Sequence, residues 1–375
     1  MNRTRKILEA IAQSKFGRRS TIAGIYGLLL IIFLHIPVIK DYLLPPQSLC
    51  VYGFTDMFHQ ETIIEFERLH KVKVILRYFE SNEELWAKFR INRGIGYDVI
   101  MTSDYMVELL RRDNMLCALD HRQLPSMQEL DPRLLNKSYD PHNTHSLPYS
   151  WIPYGIIFHK KIFTSSPETI GLHLLFSNPQ DKLHGVIKPY RICMTDDSRE
   201  AILLASLYLF GNVTSWTPEQ LAQIEALLIQ QKKWVESYVN QDLAYPLLSG
   251  LIKVAMAPLF AVDKVLKASN DFAFLLPAEG SMYSIENLAI PRPCKHVALA
   301  QAFINFVLSK NEAARMSNLY GMNPSNRAAY AMLHPEKLNN KHAFPDDEHF
   351  AKLHLLSNDV PLKKFEKIWL AVKSS

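Results

Sequence analysis

Several predicted strands of this chain end in acidic, hydroxyl or aromatic residues. Ser103 and Tyr105 follow the third predicted strand, Asp197 and Glu200 follow a later one, and Glu286 stands just before a further strand-like segment. Because ligands of open α/β sheets bind at the carboxyl ends of strands, we expect these side chains to lie close together. Carboxylates bind ammonium groups, and aromatic faces bind methylenes and cations. The sequence therefore predicts a site for an organic cation.

Each of these residues also has a simpler structural explanation. Asp197 is typical of a helix N-cap, whose carboxylate accepts hydrogen bonds from the first backbone amides of the helix. Glu200, one turn later, would complement the helix dipole. Tyr105 could be an ordinary core residue. The prediction of a cation site therefore depends on the group as a whole and not on any single member.

The sequence lacks the motifs of the common enzyme classes. It contains no G-x-G-x-x-G, no phosphate-binding P-loop, no G-x-S-x-G and no H-E-x-x-H. The closest histidine pair, His142 and His145, stands in a segment rich in turn residues, and a solvated loop explains it. The missing motifs give no support to an enzyme, and we predict no catalytic residue, no metal site and no cofactor.

The net charge of +5 is concentrated at the N-terminus. Residues 1–40 hold seven Lys and Arg and one acid, which leaves 35 basic and 36 acidic residues in the rest of the chain. A nucleic-acid-binding protein needs basic residues in its folded part, so we predict no binding to nucleic acid. The length of 375 residues predicts about two domains.

A run of about 18 mainly apolar residues, interrupted by His35, extends from Ile22 to Ile39. This length is the lower limit for a membrane-spanning helix, and no A-x-A-like cleavage site follows it. We predict that residues 1–44 form a basic N-terminus and an uncleaved signal-anchor helix, with export and cleavage as the alternative. Since the basic residues before it stay in the cytoplasm, the rest of the chain would lie in the periplasm.

Four cysteines are spaced too irregularly and too far apart for a zinc motif. Four such residues allow three disulfide connectivities, and the sequence does not choose among them. We predict four separate buried thiols, at Cys50, Cys117, Cys193 and Cys294.

The positions of the candidate site residues depend on alternating strands and helices. Six apolar or β-branched runs predict strands, at residues 49–52, 72–79, 97–101, 192–194, 252–257 and 287–291. Capping boxes mark the helix starts at Ser81–Glu84 and Thr217–Gln220. The alternation predicts an α/β fold with a largely parallel sheet, and a second α/β region after Pro148.

Nine segments of the chain resemble the periplasmic spermidine/putrescine-binding protein family and occur in the family's order. They span roughly residues 48–360, as Val51–Asp56, Phe79–Lys88, Tyr97–Tyr105, Leu130–Asn136, Tyr139–Asn143, Leu147–Trp151, Thr195–Glu200, Asn287–Pro291 and Gly321–Asn326. The resemblance implies a two-lobed periplasmic solute-binding fold of type II, which closes over its ligand by a hinge motion. It also implies a monomeric substrate-binding component of an ABC transporter, which docks on a permease in the inner membrane.

The resemblance divides the chain into two lobes that each contain two segments. They are residues 48–150 with 286–330 for lobe one, and residues 151–285 with 331–375 for lobe two. The chain would cross between the lobes near Trp151 and Glu286. We expect the strands at 49–101 and those at 192–257 to form separate sheets.

Nine positions match ligand-binding positions of the family, although several residue types differ. They are Phe54, Met57, Ser103, Tyr105, Asp197, Glu200, Glu286, Met322 and Ser357. Two family tryptophans fall on Pro258 and Ser284, so the carboxylates are kept while much of the aromatic box is lost. The resemblance then implies a polyamine (spermidine or putrescine) bound more weakly, or a related organic cation. The alternative is a membrane-tethered relative that has lost polyamine binding and serves another ligand or an interaction role.

If the three carboxylates of this set converge, a bound cation stabilises the protein by mass action. Carboxylates with ordinary pKa values protonate below about pH 4–5, so we expect the stabilisation by ligand to fade there.

Overall fold

The computed structural model describes eight stretches of the chain, at residues 24–29, 48–55, 57–162, 170–178, 190–211, 216–239, 242–355 and 362–375. The predicted anchor at residues 22–39 lies outside them except for residues 24–29, which are helical. Within these stretches, no helix has the length and apolar character needed to cross a membrane. The anchor therefore stays a prediction.

Strands and helices alternate through most of the described chain. Its eleven strands are β1 Ser48–Gly53, β2 Lys73–Tyr78, β3 Val99–Ser103, β4 Ser146–His159, β5 Ile192–Met194, β6 Val235–Tyr238, β7 Val254–Pro258, β8 Phe272–Leu275, β9 Ser281–Ala289, β10 Asn323–Pro324 and β11 Leu353–Leu355. The described stretches after residue 48 hold thirteen α-helices: α1 Gln60–His70, α2 Asn82–Asn92, α3 Asp104–Arg112, α4 His173–Phe176, α5 Ser198–Phe210, α6 Pro218–Gln231, α7 Ala244–Leu248, α8 Leu259–Ala268, α9 Val297–Val307, α10 Lys310–Tyr320, α11 Pro335–Leu338, α12 Asp347–Phe350 and α13 Leu362–Ser374.

The predicted helix starts are present, with one difference in detail. Thr217 and Gln220 form the complete capping box at the start of α6. At the start of α2, the Ser81 hydroxyl accepts a hydrogen bond from the amide of Glu84 at 3.2 Å. The Glu84 carboxylate, however, accepts from the amide of Glu80, one residue before the cap. Half of the second predicted capping box is therefore present.

The sequence does not predict β4, the longest strand. Pro148 and Pro153 lack the amide that a strand inside a sheet donates, and two prolines argue against such a strand. The structure places a register shift between Pro148 and Ser150 in the pairing of β4 with β9. As a result, β4 continues through the position at which the sequence predicts the start of a second region.

The described strands form one hydrogen-bonded sheet in the order β2-β1-β3-β9-β4-β7-β5-β6, with β8 and β10 also paired to β4 and β11 paired to β9. The first part of β4 pairs with β9 and its second part pairs with β7. Because β4 is long enough to join both groups of strands, the expectation of separate sheets is wrong. The pairs β1–β3, β5–β6 and β5–β7 are parallel, whereas β3–β9, β9–β4 and β4–β7 are antiparallel. The sheet is therefore less parallel than predicted.

All four cysteines are free thiols. Cys50 and Cys193 are buried, as predicted, whereas Cys117 and Cys294 are only half-buried. The Cys294 thiol lies 3.3 Å from a carboxylate oxygen of Asp98, and the Cys117 thiol lies 3.6 Å from a backbone carbonyl oxygen. The prediction of four buried thiols is therefore wrong for two of them, which find polar acceptors nearer the surface.

Replacing Gly155 with alanine should destabilise the sheet at β4. A Cβ at this position would lie 2.5 Å from the carbonyl oxygen of Leu275 and 2.5 Å from the ring of Phe274, both in β8. Such overpacking costs about 1–3 kcal/mol. We expect a smaller loss for Gly53→Ala, because its Cβ would meet the side chain of Met101 at 3.2 Å. Urea denaturation measures both variants, and an unchanged Gly155→Ala protein would contradict the close approach of β4 and β8.

Candidate ligand-binding site

Glu286 lies on β9, between β3 and β4. It stands opposite Ser103 of β3 and opposite Ser150 of β4, so the three side chains share one face of the sheet. Only 7% of Glu286 is exposed. Among the described residues, none hydrogen-bonds to the Oε2 atom of Glu286 or to the hydroxyl of Ser103. Buried polar atoms are normally paired, so these two are candidates to bind a ligand.

Asp104 adds a carboxyl group that sequence analysis did not assign to the site. It begins α3 directly after β3 and is 1% exposed. One carboxylate oxygen accepts from the amide of Tyr105 at 2.6 Å, and the other accepts from the amide of Ile285 at 3.0 Å. Since Ile285 precedes Glu286, the two acids are neighbours. The signal was visible in the sequence, because an acid directly follows a strand end.

The two neighbouring acids have raised pKa values. Burial raises the pKa of Asp104 to about 7, and the two backbone hydrogen bonds and the charge of Arg199 act in the opposite direction. Burial, followed by the charge of Asp104, raises the pKa of Glu286 to about 8. Near neutral pH, the pair therefore retains at least part of its protons.

Asp197 and Arg199 form an ion pair at the N-terminus of α5. The Oδ1 atom of Asp197 accepts from the amides of Arg199 and Glu200, at 2.8 and 3.3 Å, which makes Asp197 the predicted N-cap. Its Oδ2 atom is 2.6 Å from Arg199 Nη2, and the guanidinium covers the ring of Tyr105 at 3.6 Å. Burial raises the pKa of Asp197, but the charge and hydrogen bonds of Arg199 outweigh burial and lower it. Sequence analysis did not place Arg199 in the site.

Glu200 accepts a hydrogen bond from the hydroxyl of Thr195, which follows β5. The two oxygens are 2.5 Å apart, and Tyr154 lies close to the same carboxyl group. Burial, followed by the charge of Asp197, raises the pKa of Glu200. Sequence analysis missed Tyr154 because it belongs to β4, a strand that Pro148 and Pro153 argue against. Ser284, at which the family resemblance has a tryptophan, lies close to Tyr154.

Met322 contacts Ser150, the residue that stands opposite Glu286. Gly321 ends α10 in the left-handed conformation, with φ of +79°, and lets the chain turn into β10, which pairs with β4. The Sδ atom of Met322 is 3.8 Å from the hydroxyl of Ser150, the residue opposite Glu286. The thioether therefore lies beside the residue that pairs with Glu286.

The remaining predicted contacts are not joined to the carboxyl groups by any hydrogen bond or ring contact in the described part of the chain. The ring of Phe54 packs on Phe79, with 4.4 Å between centroids. The carbonyl oxygen of Met57 accepts from the hydroxyl of Tyr149 at 2.8 Å. Ser357 lies outside the described residues. All three stay predictions as ligand contacts.

Four carboxyl groups and one guanidinium group make up this cluster. They are Asp104, Asp197, Glu200, Glu286 and Arg199. One positive charge does not balance four ionised acids in a poorly solvated region, so the acids must bind protons or a cation. No group of three or more His, Cys, Asp and Glu side chains within the described stretches is arranged to hold a metal ion. Because the Oε2 atom of Glu286 and the hydroxyl of Ser103 can accept hydrogen bonds, the cluster is suited to an organic cation with N–H donors.

The profile of the bacterial extracellular solute-binding protein family matches residues 61–349, so the chain belongs to this family. The family resemblance drawn from the nine segments is thereby confirmed, and the α/β fold is that of a solute-binding protein.

The chain is also similar to individual curated proteins and to solved structures. It is 29% identical to the spermidine/putrescine-binding periplasmic protein of Salmonella typhimurium over 82% of this chain and 85% of the relative. It is 26% identical to the putrescine/cadaverine-binding protein of Pseudomonas aeruginosa over 87% of this chain and 94% of that protein. The structure matches a spermidine/putrescine ABC transporter substrate-binding protein of Streptococcus pneumoniae with a TM-score of 0.77. That match has 24% identity and covers 88% of this chain and 99% of the other.

Proposed function

We propose that this chain binds a polyamine or a related organic cation outside the cytoplasm and delivers it to an ABC permease of the inner membrane. The observation that carries the proposal is the cluster of four carboxyl groups around one guanidinium. The Oε2 atom of Glu286 and the hydroxyl of Ser103 have no partner among the described residues. The names of the relatives support the same ligand class, since they include spermidine, putrescine and cadaverine. We propose no catalytic step.

The proposal includes the division into two lobes, with residues 48–150 and 286–330 in lobe one and the remaining folded segments in lobe two. β4 and β9 would carry the chain between the lobes near Trp151, which is opposite Ile285. Under this division, Tyr105 belongs to lobe one and Arg199 to lobe two, so their stacking would join the lobes across the site. The proposal also includes a monomeric protein in the periplasm, held by residues 22–39 or released by cleavage.

Calorimetric titration of the full-length protein with putrescine and with spermidine tests the ligand class. We expect heat of binding and a higher melting temperature with at least one amine, because a ligand that binds only the folded state stabilises it. The matched control ligand is 1,4-butanediol, which has the length of putrescine without its charges and should not bind. If neither amine binds, the proposed ligand class is wrong and the protein serves another ligand or an interaction role.

A further inference from the structure

Arg199 already makes the contacts that an ammonium group of a ligand would make at one end of the site. The resemblance assigns Tyr105 and Asp197 to the ligand. In the structure, both contact the guanidinium of Arg199, whose side chain is 12% exposed. The protein thus supplies its own cation at this position.

The carboxylate of Asp197 has few contacts left for a ligand. Its Oδ1 atom accepts from the amides of Arg199 and Glu200 and from Arg199 Nε at 3.2 Å. Its Oδ2 atom accepts from Arg199 Nη2 at 2.6 Å. A second cation at this carboxylate would have to displace the guanidinium. Removing one partner of a poorly solvated ion pair is strongly unfavourable, because the other charge is left uncompensated.

Tyr105 is occupied in the same way. The guanidinium lies 3.6 Å from the centre of its ring, which is the contact that a ligand ammonium or methylene would otherwise make. The Tyr105 hydroxyl donates to a carboxylate oxygen of Glu83 at 3.1 Å. The face and the hydroxyl of Tyr105 are therefore both engaged.

At the other end of the site, around Glu286, no side-chain cation of the protein is paired with the acceptors in the described part of the chain. Glu286 Oε2 and the Ser103 hydroxyl have no partner among the described residues, and Asp104 accepts only from backbone amides there. These groups come from the end of β3, the first residue of α3 and the interior of the adjacent strand β9, and they offer neighbouring oxygen acceptors. A primary ammonium group has three N–H donors and can pair with all three side chains.

We infer that Arg199 is a resident cation that closes the Tyr105–Asp197 end of the site, so that the site takes a short diamine anchored at Glu286 and disfavours a triamine. This inference rests on the proposed function. A triamine carries a third ammonium group, and that group would meet the charge of Arg199 where the ring and the carboxylate are already engaged. Like charges at close range oppose binding, whereas a diamine has no third ammonium group to place there.

The test is the ratio of the dissociation constants for spermidine and putrescine, measured by calorimetry on the full-length protein. We expect the unchanged protein to bind putrescine at least tenfold more tightly than spermidine. Arg199→Gln removes the resident charge and uncovers Tyr105 and Asp197. We expect this variant to shift the ratio at least tenfold toward spermidine.

Arg133→Gln is the matched control. Arg133 pairs with Asp131 at 2.8 Å and lies 4.5 Å above the ring of Phe350, which is the same arrangement of a guanidinium, an acid and an aromatic ring outside the carboxyl cluster. We expect this control to leave the spermidine-to-putrescine ratio unchanged.

The outcomes separate this inference from the proposed function. An unchanged protein that binds amines but prefers spermidine overturns the inference alone, even if Arg199→Gln does not fold. A folded Arg199→Gln variant with an unchanged ratio also overturns it. If the unchanged protein binds neither amine, the proposed function fails, and the inference fails with it.

Discussion

Affinity for a cationic ligand should rise by about tenfold for each pH unit between pH 6 and pH 8, if binding displaces one proton. The physical reason is the pair Asp104 and Glu286, whose pKa values are raised by burial to about 7 and about 8. A cation pairs with the ionised acids, so it must displace the protons that they hold at lower pH. The polyamine itself stays charged over this range, because alkyl ammonium groups lose their proton near pH 10.

The stability of the protein without ligand depends on pH in the opposite direction, because it falls as the pH rises. Both acids have higher pKa values in the folded protein than in the unfolded chain, where they are near 4. The folded state therefore binds more protons than the unfolded state between about pH 4 and pH 8. The contribution of these acids to stability is complete below pH 4 and is lost as the pH rises through 8. With ordinary carboxylates, stabilisation by the ligand would fade below about pH 4–5. The raised pKa values of Asp104 and Glu286 move this pH range upward.

Calorimetric titrations at pH 6, 7 and 8, each in two buffers with different heats of ionisation, measure both the affinity and the protons released. Asp104→Asn should release fewer protons and show a shallower dependence on pH, since one of the coupled acids is gone. Asp140→Asn serves as the control, because Asp140 is a buried acid that hydrogen-bonds to Ser146 and His145 away from the cluster. Constant affinity between pH 6 and pH 8 would show that the acids are ionised before the ligand arrives.

Much of this site was predictable because strand ends are visible in a sequence. Ser103 and Glu286 were both predicted from their places beside strand-like runs, and the register between β3 and β9 puts them opposite one another. The pairing itself was not predictable from local patterns, since it joins segments far apart in the chain. The family resemblance supplied that long-range information, and the motif order was its evidence.

The residues that sequence analysis missed are of types that fit an ordinary structural role as well as a functional one. Asp104 and Arg199 stand beside predicted site residues; Asp104 is also an ordinary residue for the first turn of a helix, and Arg199 is also an ordinary surface residue type. Only the structure shows that Asp104 accepts from Ile285 and that Arg199 covers Tyr105. Likewise, Tyr154 was missed because two prolines argued against β4, although a register shift lets the strand continue. Local propensity therefore failed where long-range pairing overrode it.

Glu286→Gln should weaken binding of the preferred amine by about 1.5–3 kcal/mol, or roughly 10- to 150-fold, which is the scale of a hydrogen bond to a charged group. The amide keeps the shape of the side chain and removes the charge that attracts the ammonium group. The loss should be larger at pH 8 than at pH 6, because Glu286 has a pKa of about 8 and is mostly protonated at the lower pH. Calorimetry at both pH values measures this difference.

The same substitution should leave the stability without ligand nearly unchanged below about pH 4 and raise it progressively as the pH rises from 4 to 8. A glutamine resembles the neutral acid that occupies the site at low pH, and it removes the repulsion by Asp104 that burial makes costly at high pH. The control is Glu312→Gln, another buried glutamate, which pairs with Thr62 and Arg315. That variant should lose stability and keep its affinity for the amine. Equal losses of affinity in both variants would mean that Glu286 acts through the fold, and the assignment of the ligand ammonium to Glu286 would then be wrong.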